Sequence, residues 1–337
     1  MKILLPIYKS FDEKSEHFQL KIIDTIEQLN ETIDNFKLSK GIYRGISSSS
    51  YKIYTSLQRQ IIENNLRGKF KIEDYIKNFR NHELLKNYFK FFNIVPSKLS
   101  IYSYLQHYRA PTPFLDFTKS FEKALYFAIE KFDLANYNSD KSINDYFSIF
   151  YIDNSNLDTL SIPQVIEGLK KLKKHSIEAL SHYEDYTEEA MLSHIDNMFH
   201  INTCEVFLID NDEKFYDIYN TYNNIRIIAQ KGLFIHNDFP DIALEVALKV
   251  FFKSATVYQH SPWDEVDTEQ SRAINEEYEI TLKRNREFQS RLEGNIIKSF
   301  EINKSLITEI KKIVSVKEAD IYPNSEDICW KIFEQSK

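Results

Sequence analysis

Glycine is scarce in this chain, with 6 in 337 residues. Neither G-x-G-x-x-G nor G-x-x-x-x-G-K-[ST] occurs, which excludes the glycine-rich loops that cradle nucleotide phosphates. Cysteine is scarcer, with only Cys204 and Cys329. Two cysteines make neither a disulfide framework nor a zinc set, and the cytosol is the expected compartment. The nine histidines show no HExxH or other ligand spacing, so no metal is expected. His107 and His236 read as core or surface residues. No apolar run approaches membrane-spanning length. In the opening MKILLPIYKSF the apolar stretch is too short for a signal peptide and Pro6 interrupts it, so no membrane partner is expected.

Apolar residues make up 42% and aromatics 14%, enough for a sizeable core in one large domain or two ordinary ones. The net charge of −7 gives no global case for nucleic-acid binding. The charge is uneven, however. Residues 51–100 hold ten Lys/Arg against four Asp/Glu, a net of +6 that leaves −13 for the rest. Such a segment can hold an anion, or can simply be a solvated helical face. Abundant Ile, Lys and Asn with little Ala and Gly point to an AT-rich, bacterial coding genome.

Apolar spacing predicts an amphipathic helix over 15–35, with Phe18, Ile22, Ile23, Ile26, Leu29 and Ile33 on one side. GIYRGISS reads as a strand from Gly41, and YTSLQRQIIENNL as a helix. Further helices are expected at 72–92, 98–108 and 120–134. YFSIFYID (146–153) is a strand by its β-branched and aromatic content. Residues 163–198 look helical and charged. INTCEVFLID (201–210) and NNIRIIAQKGLFIH (223–236) read as strands, the second with a turn at Lys231–Gly232. A helix over 239–250 and a long polar helix or helix pair over 267–294 follow. Last come a strand at SFEIN, a helix over 304–315 capped by Asn303, and a helix over 326–335. With helices in blocks and strands in the middle, the fold class is α+β, a central mixed or antiparallel sheet with helical additions. Residues 1–337 read as one unit. It has a helical N-terminal segment (1–40), a helical insertion (163–198) and a helical C-terminal segment with one strand (265–337).

YRG (43–45), SLQR (56–59), HYRAPTPFLDFT (107–118), ALYFA (124–128) and RIIAQKGLF (226–234) occur in that order. The set resembles the FRG domain family, named for its Phe/Tyr–Arg–Gly tripeptide. The closing FEINKSLITEIKKI and ADIYPNSEDI are similar to that family's final strand–helix segment. Three positions depart from the family pattern: Arg109 stands for the usual Gly, Pro113 for Arg and Phe117 for Trp. The motif order is in turn similar to that of ADP-ribosyltransferases. That similarity implies an ADP-ribosyltransferase-like fold, with an Arg on a first core strand, a Thr-bearing strand before a helix, and a Glu or Gln on a later strand.

The resemblance implies a nucleotide ligand, with NAD as substrate and a protein or nucleic-acid acceptor. Cleaving the nicotinamide–ribose bond builds positive charge on the ribose, so a site must fix the phosphates and stabilise that charge. Arg44 suits a bidentate clamp, and Gly45 lets a ligand approach the backbone. The alternative for Arg44 is a structural ion pair with Asp116. Thr112 and Thr118 are candidates for the ribose or carboxamide, Asp116 for orienting Arg44 or a hydroxyl, and Tyr108 for stacking. The alternative for the two threonines and Asp116 is turn chemistry. In ALYFA, Leu125 and Phe127 read as core. Gln230 and Glu205 compete for the last catalytic role. A non-catalytic nucleotide-sensing or interaction module, and a nucleic-acid-acting bacterial defence protein, are the competing functions.

Overall fold

The computed structural model describes residues 2–133, 142–160, 206–216, 218–254 and 295–335, with Tyr137, Ser139, Leu192 and Asp196 besides. The described elements begin with α1 (Phe11–Ser15), β1 (Gln19–Ile23), α2 (Ile26–Leu38), β2 (Gly41–Ile46), α3 (Ser56–Glu63), α4 (Ile72–Asn81), α5 (Glu83–Phe91) and α6 (Lys98–His107). The middle of the chain gives β3 (Phe114–Thr118), α7 (Phe121–Ile129), β4 (Tyr146–Asp153), α8 (Asn154–Leu160), β5 (Val206–Ile209), α9 (Ile225–Gln230), β6 (Gly232–Asn237) and α10 (Leu244–Ser254). The last are β7 (Ile297–Asn303), α11 (Ile307–Ile313), α12 (Glu318–Ile321) and α13 (Ser325–Gln335). The expected insertion lies outside the described residues apart from Leu192 and Asp196, as does the polar helix expected over 267–294.

The fold is α+β. Among the described residues, seven strands make one mixed sheet in the order β1-β7-β4-β2-β3-β6-β5. Only β1 and β7 run parallel, and every other neighbour pair is antiparallel. Side chains alternate across the strands. Ile42, Leu115, Phe117, Phe150, Ile152, Leu233 and Ile235 share one core with Leu244, Ala247 and Leu248 of α10. The alternate residues divide between two cores. Phe114, Phe207 and Phe234 pack with Ile76, Phe79 and Ile101 of the α4–α6 helices. Tyr43, Phe147, Ile149 and Tyr151 pack with Leu29 and Phe36 of α2 and Ala124, Leu125 and Ala128 of α7.

The sheet is thinnest in its middle. β2 and β3 share a single register pair, Tyr43↔Thr118, whereas β2 and β4 share six and β3 and β6 share five. YRG and the 107–118 segment are therefore neighbours, but their strands diverge at once. On the other side of β2, α7 lies against the backbone. A Cβ built on Gly45 would stand 1.8 Å from the Ala124 carbonyl oxygen and 3.0 Å from the Ala128 amide nitrogen. The helix of ALYFA thus requires glycine at position 45.

SLQR works as a clamp on this frame. Thr55 and Gln58 form a capping box at the start of α3. The Gln58 Nε2 also donates to the Ile242 carbonyl (2.8 Å), and the Leu57 amide donates to the Thr112 carbonyl (3.1 Å).

Three expectations are corrected here. The helix expected over 15–35 is a strand at 19–23 followed by α2. Thr25 caps α2 with Gln28, which stops the helix from extending backwards, and β1 finds its partner in β7, nearly three hundred residues away. The helix expected over 72–92 breaks at His82. IRIIAQ is a helix rather than the start of a strand. The Asn224 side chain caps it, and Lys231 ends it in the left-handed conformation (φ 50°), so its β-branched propensity is overridden at both ends.

Gly45→Ala forces a methyl into helix backbone that cannot rotate away. The expected cost is about 3 kcal/mol of stability or more, read from urea unfolding. A loss near zero would mean that α7 does not press on β2 as described.

Candidate functional site

Where β2 and β3 part, a cleft of about 380 Å³ opens, within the size range of small-molecule sites. Arg44, Asp116 and Thr118 line it from the strands. Arg59 enters from α3, Gln106, His107 and Arg109 from the end of α6, and Phe127, Glu130 and Lys131 from α7 and its end. Arg226 and Gln230 of α9 and Tyr322, just after α12, also line it. Five cationic side chains, Arg44, Arg59, Arg109, Lys131 and Arg226, thus meet two carboxylates, Asp116 and Glu130. Of the basic segment 51–100, Arg59 is the one cation in this lining.

The divergence of the strands leaves the Asp116 carbonyl without a ladder partner on β2, and Arg44 Nη1 donates to it at 2.6 Å. The expected contact between Arg44 and the Asp116 carboxylate is replaced by this one, because the carboxylate Oδ2 accepts from Gln106 Nε2 at 2.6 Å. Arg44 Nε is buried and has no acceptor among the described residues. Burial lowers the Arg44 guanidinium to about 10, with Asp116 opposing the shift and Arg59 adding to it, so the group stays charged at neutral pH. His107 is 7% exposed, and its Nε2 also lacks a partner among the described residues. Burial pushes its imidazole down to about 4, Asp116 pulling upward and Arg226 downward, so the ring is neutral at pH 7.

The rim carries two further cation–ring contacts. Arg109 sits at φ 62°, a conformation that favours glycine, and its guanidinium lies 5.9 Å from the Tyr322 ring centroid. The Tyr322 hydroxyl donates to Glu130 Oε2 at 3.0 Å. Burial, then Glu130, raises the Tyr322 phenol above its ordinary value. Arg226 lies 6.0 Å from the Tyr108 ring, and its Nη1 donates to the His107 carbonyl at 3.1 Å.

The expected residues are distributed unevenly around this cleft. Arg44, Gly45, Asp116, Thr118 and Gln230 line it, whereas Tyr108 and Thr112 do not. Tyr108 is 57% exposed and packs its ring at a tilt against Tyr104. Thr112 is buried. Its hydroxyl donates to Gln106 Oε1 and accepts from the Phe114 amide, so it sets the amide that in turn holds Asp116. The Thr118 hydroxyl donates to the Gln230 carbonyl at 2.7 Å, tying β3 to the end of α9. Gln230 ends a helix rather than a strand, and its Nε2 donates to the Ile321 carbonyl at 3.2 Å, which holds the segment bearing Tyr322. Phe127 lines the cleft instead of lying in the core. Glu205 lies outside the described residues. Gln106, His107, Glu130 and Tyr322 were not expected in the site. His107 opens the HYRAPTPFLDFT motif with Gln106 just before it, and Tyr322 lies in ADIYPNSEDI, so the usable signal for all three was the motif segments themselves. Among the described residues no group of three or more His, Cys, Asp or Glu could hold a metal ion, and no helix is long and apolar enough to cross a membrane.

The family model of the FRG domain matches residues 39–136, so the chain carries an FRG domain over that stretch. The match takes in Arg44, Arg59, His107, Arg109, Asp116 and Lys131, while Arg226, Gln230 and Tyr322 of the same cleft lie beyond it. No curated protein and no solved structure matches the chain.

The neutral His107 makes a pH prediction. Its folded midpoint near 4 lies below the ordinary 6.5. The unfolded chain therefore binds the extra proton between those values, and this contribution to stability, present above pH 6.5, is lost as pH falls to 4. The expected loss is on the order of 3 kcal/mol, and an NMR titration should place the His107 midpoint well below 6. A midpoint at 6 or above would mean an open imidazole.

Proposed function

We propose that the cleft binds a nucleotide through its pyrophosphate, with NAD the ligand, and that the protein transfers or hydrolytically releases the ADP-ribosyl group. The observation that carries the reading is the buried, unpartnered Arg44 Nε among five cationic side chains. An unpaired buried donor costs about 1–3 kcal/mol, and clustered guanidinium and ammonium groups repel one another. An oxyanion relieves both costs, and guanidinium groups match phosphate oxygens in geometry. The rings of Tyr322 and Phe127, 6.4 Å apart in an edge-on arrangement, add an apolar wall suited to a base or nicotinamide.

In the transfer, the bond between the ribose C1′ and the nicotinamide nitrogen breaks, and its electron pair leaves with nicotinamide. A new bond forms from C1′ to the oxygen of water or of an acceptor hydroxyl, which gives up its proton. Positive charge develops on the ribose, and a carboxylate stabilises it better than an amide. Asp116, which lines the cleft and accepts from Gln106 at Oδ2, is the carboxylate this reading assigns to that role. Gln230, whose amide nitrogen holds Ile321, shapes the wall. A non-catalytic nucleotide sensor is the second reading. It is favoured by the fact that both cleft carboxylates already accept bonds, Asp116 from Gln106 and Glu130 from Tyr322.

Calorimetry with NAD, ADP-ribose and ATP should show binding to wild type. Arg44→Ala should weaken it by about tenfold or more, and equal heats for the two proteins would remove Arg44 from the site. Wild type should release nicotinamide from NAD in the presence of protein or nucleic-acid acceptors, and Asp116→Asn should slow release while keeping affinity. Binding without any nicotinamide release would leave the sensor in place of the enzyme.

A further inference from the structure

Arg44 Nε is not the cleft's only buried orphan. His107 ends α6 with 7% of its surface exposed, lines the cleft, and has an Nε2 with no hydrogen-bond partner. Nearly all buried polar side-chain atoms in folded proteins are partnered, so an orphan on a residue that lines a cavity calls for a physical reason. The ring is not loosely placed. It packs 5.6 Å from the Phe234 ring, and the carbonyl of the same residue accepts from Arg226, which fixes α6 against α9 at this rim. The charged groups acting on the imidazole are Asp116 from β3 and Arg226 from α9.

We propose that His107 is a ligand-binding residue of the cleft, its Nε2–H donating to a non-bridging phosphate oxygen of the bound nucleotide. The inference rests on the reading of the cleft as a pyrophosphate site. A neutral imidazole offers one donor and one acceptor. A ligand drawn by five cations brings phosphate oxygens, which only accept, so the tautomer with hydrogen on Nε2 is the one that meets them. A neutral donor also adds a hydrogen bond without adding a sixth positive charge to a cleft already crowded with them. The competing role is that of a core filler, for which a phenyl ring would serve as well or better, since it leaves no polar atom unpaired.

The two roles separate on paired variants and paired ligands. His107→Phe should melt at or above the wild-type temperature and bind both ADP-ribose and inorganic pyrophosphate about tenfold or more weakly. His107→Gln, which returns an N–H near the same place, should hold both within about threefold of wild type. On the wild-type protein, the His107 nitrogen chemical shifts should move on saturation with pyrophosphate, which reads the contact without any substitution. A His107→Phe protein that binds both ligands like wild type, or nitrogen shifts that stay put, would overturn the assignment. Loss of ADP-ribose binding alone would place the imidazole on the ribose and overturn the phosphate contact. A wild type that binds neither ligand would overturn the nucleotide reading itself, and this assignment with it.

Discussion

Between β2 and β3 the backbone ladder shrinks to one pair, Tyr43 with Thr118, in the middle of a seven-stranded sheet. That gap is the constraint behind the rest of the architecture. It frees the Asp116 carbonyl, which draws the Arg44 guanidinium across to it. It also divides the helices on one face into two cores with room between them. The sheet survives the gap because β2 is secured on its other edge by six register pairs with β4 and on its surface by α7 pressed onto Gly45.

Charge then accumulates where backbone pairing fails. Arg44, Arg59, Arg109, Lys131 and Arg226 come from five separate stretches of chain, so no single basic run announces the cleft. A buried hydrogen-bond relay keeps one carboxylate among them: Thr112 sets the Gln106 amide, and Gln106 holds Asp116. The C-terminal part contributes the opposite wall, where Gln230 holds Ile321 and Tyr322 meets Arg109. The stretch matched as an FRG domain therefore supplies most of the charge, and later residues close the site.

The elements legible in the sequence were those with strong local signals. β4 is a run of β-branched and aromatic residues, α3 carries its own capping box, and α6 follows the Ser97 cap. β1 was not legible, because Ile22, Ile23 and Ile26 satisfy helical spacing while the strand that decides the matter, β7, is remote. α9 is not legible because IRIIAQ has strand-like composition, and its helix depends on Asn224 and on Lys231 in a left-handed turn. In the 107–118 motif the residue types pointed to polar chemistry, but which groups face the cleft depends on partners elsewhere. Thr112 and Thr118 use their hydroxyls on Gln106 and the end of α9, whereas Asp116 faces the cavity. The orphaned nitrogens of Arg44 and His107 were beyond reach of any sequence pattern, since an unpaired atom is defined by what three-dimensional packing leaves out.

The central claim is that this cleft is completed by a nucleotide's phosphates. A crystal structure of the protein with ADP-ribose tests it most directly. The account predicts ligand density between β2 and β3, with a phosphate oxygen within hydrogen-bond reach of Arg44 Nε. Density at a different place on the molecule, or a ligand in the cleft that leaves Arg44 Nε without an acceptor, would contradict it.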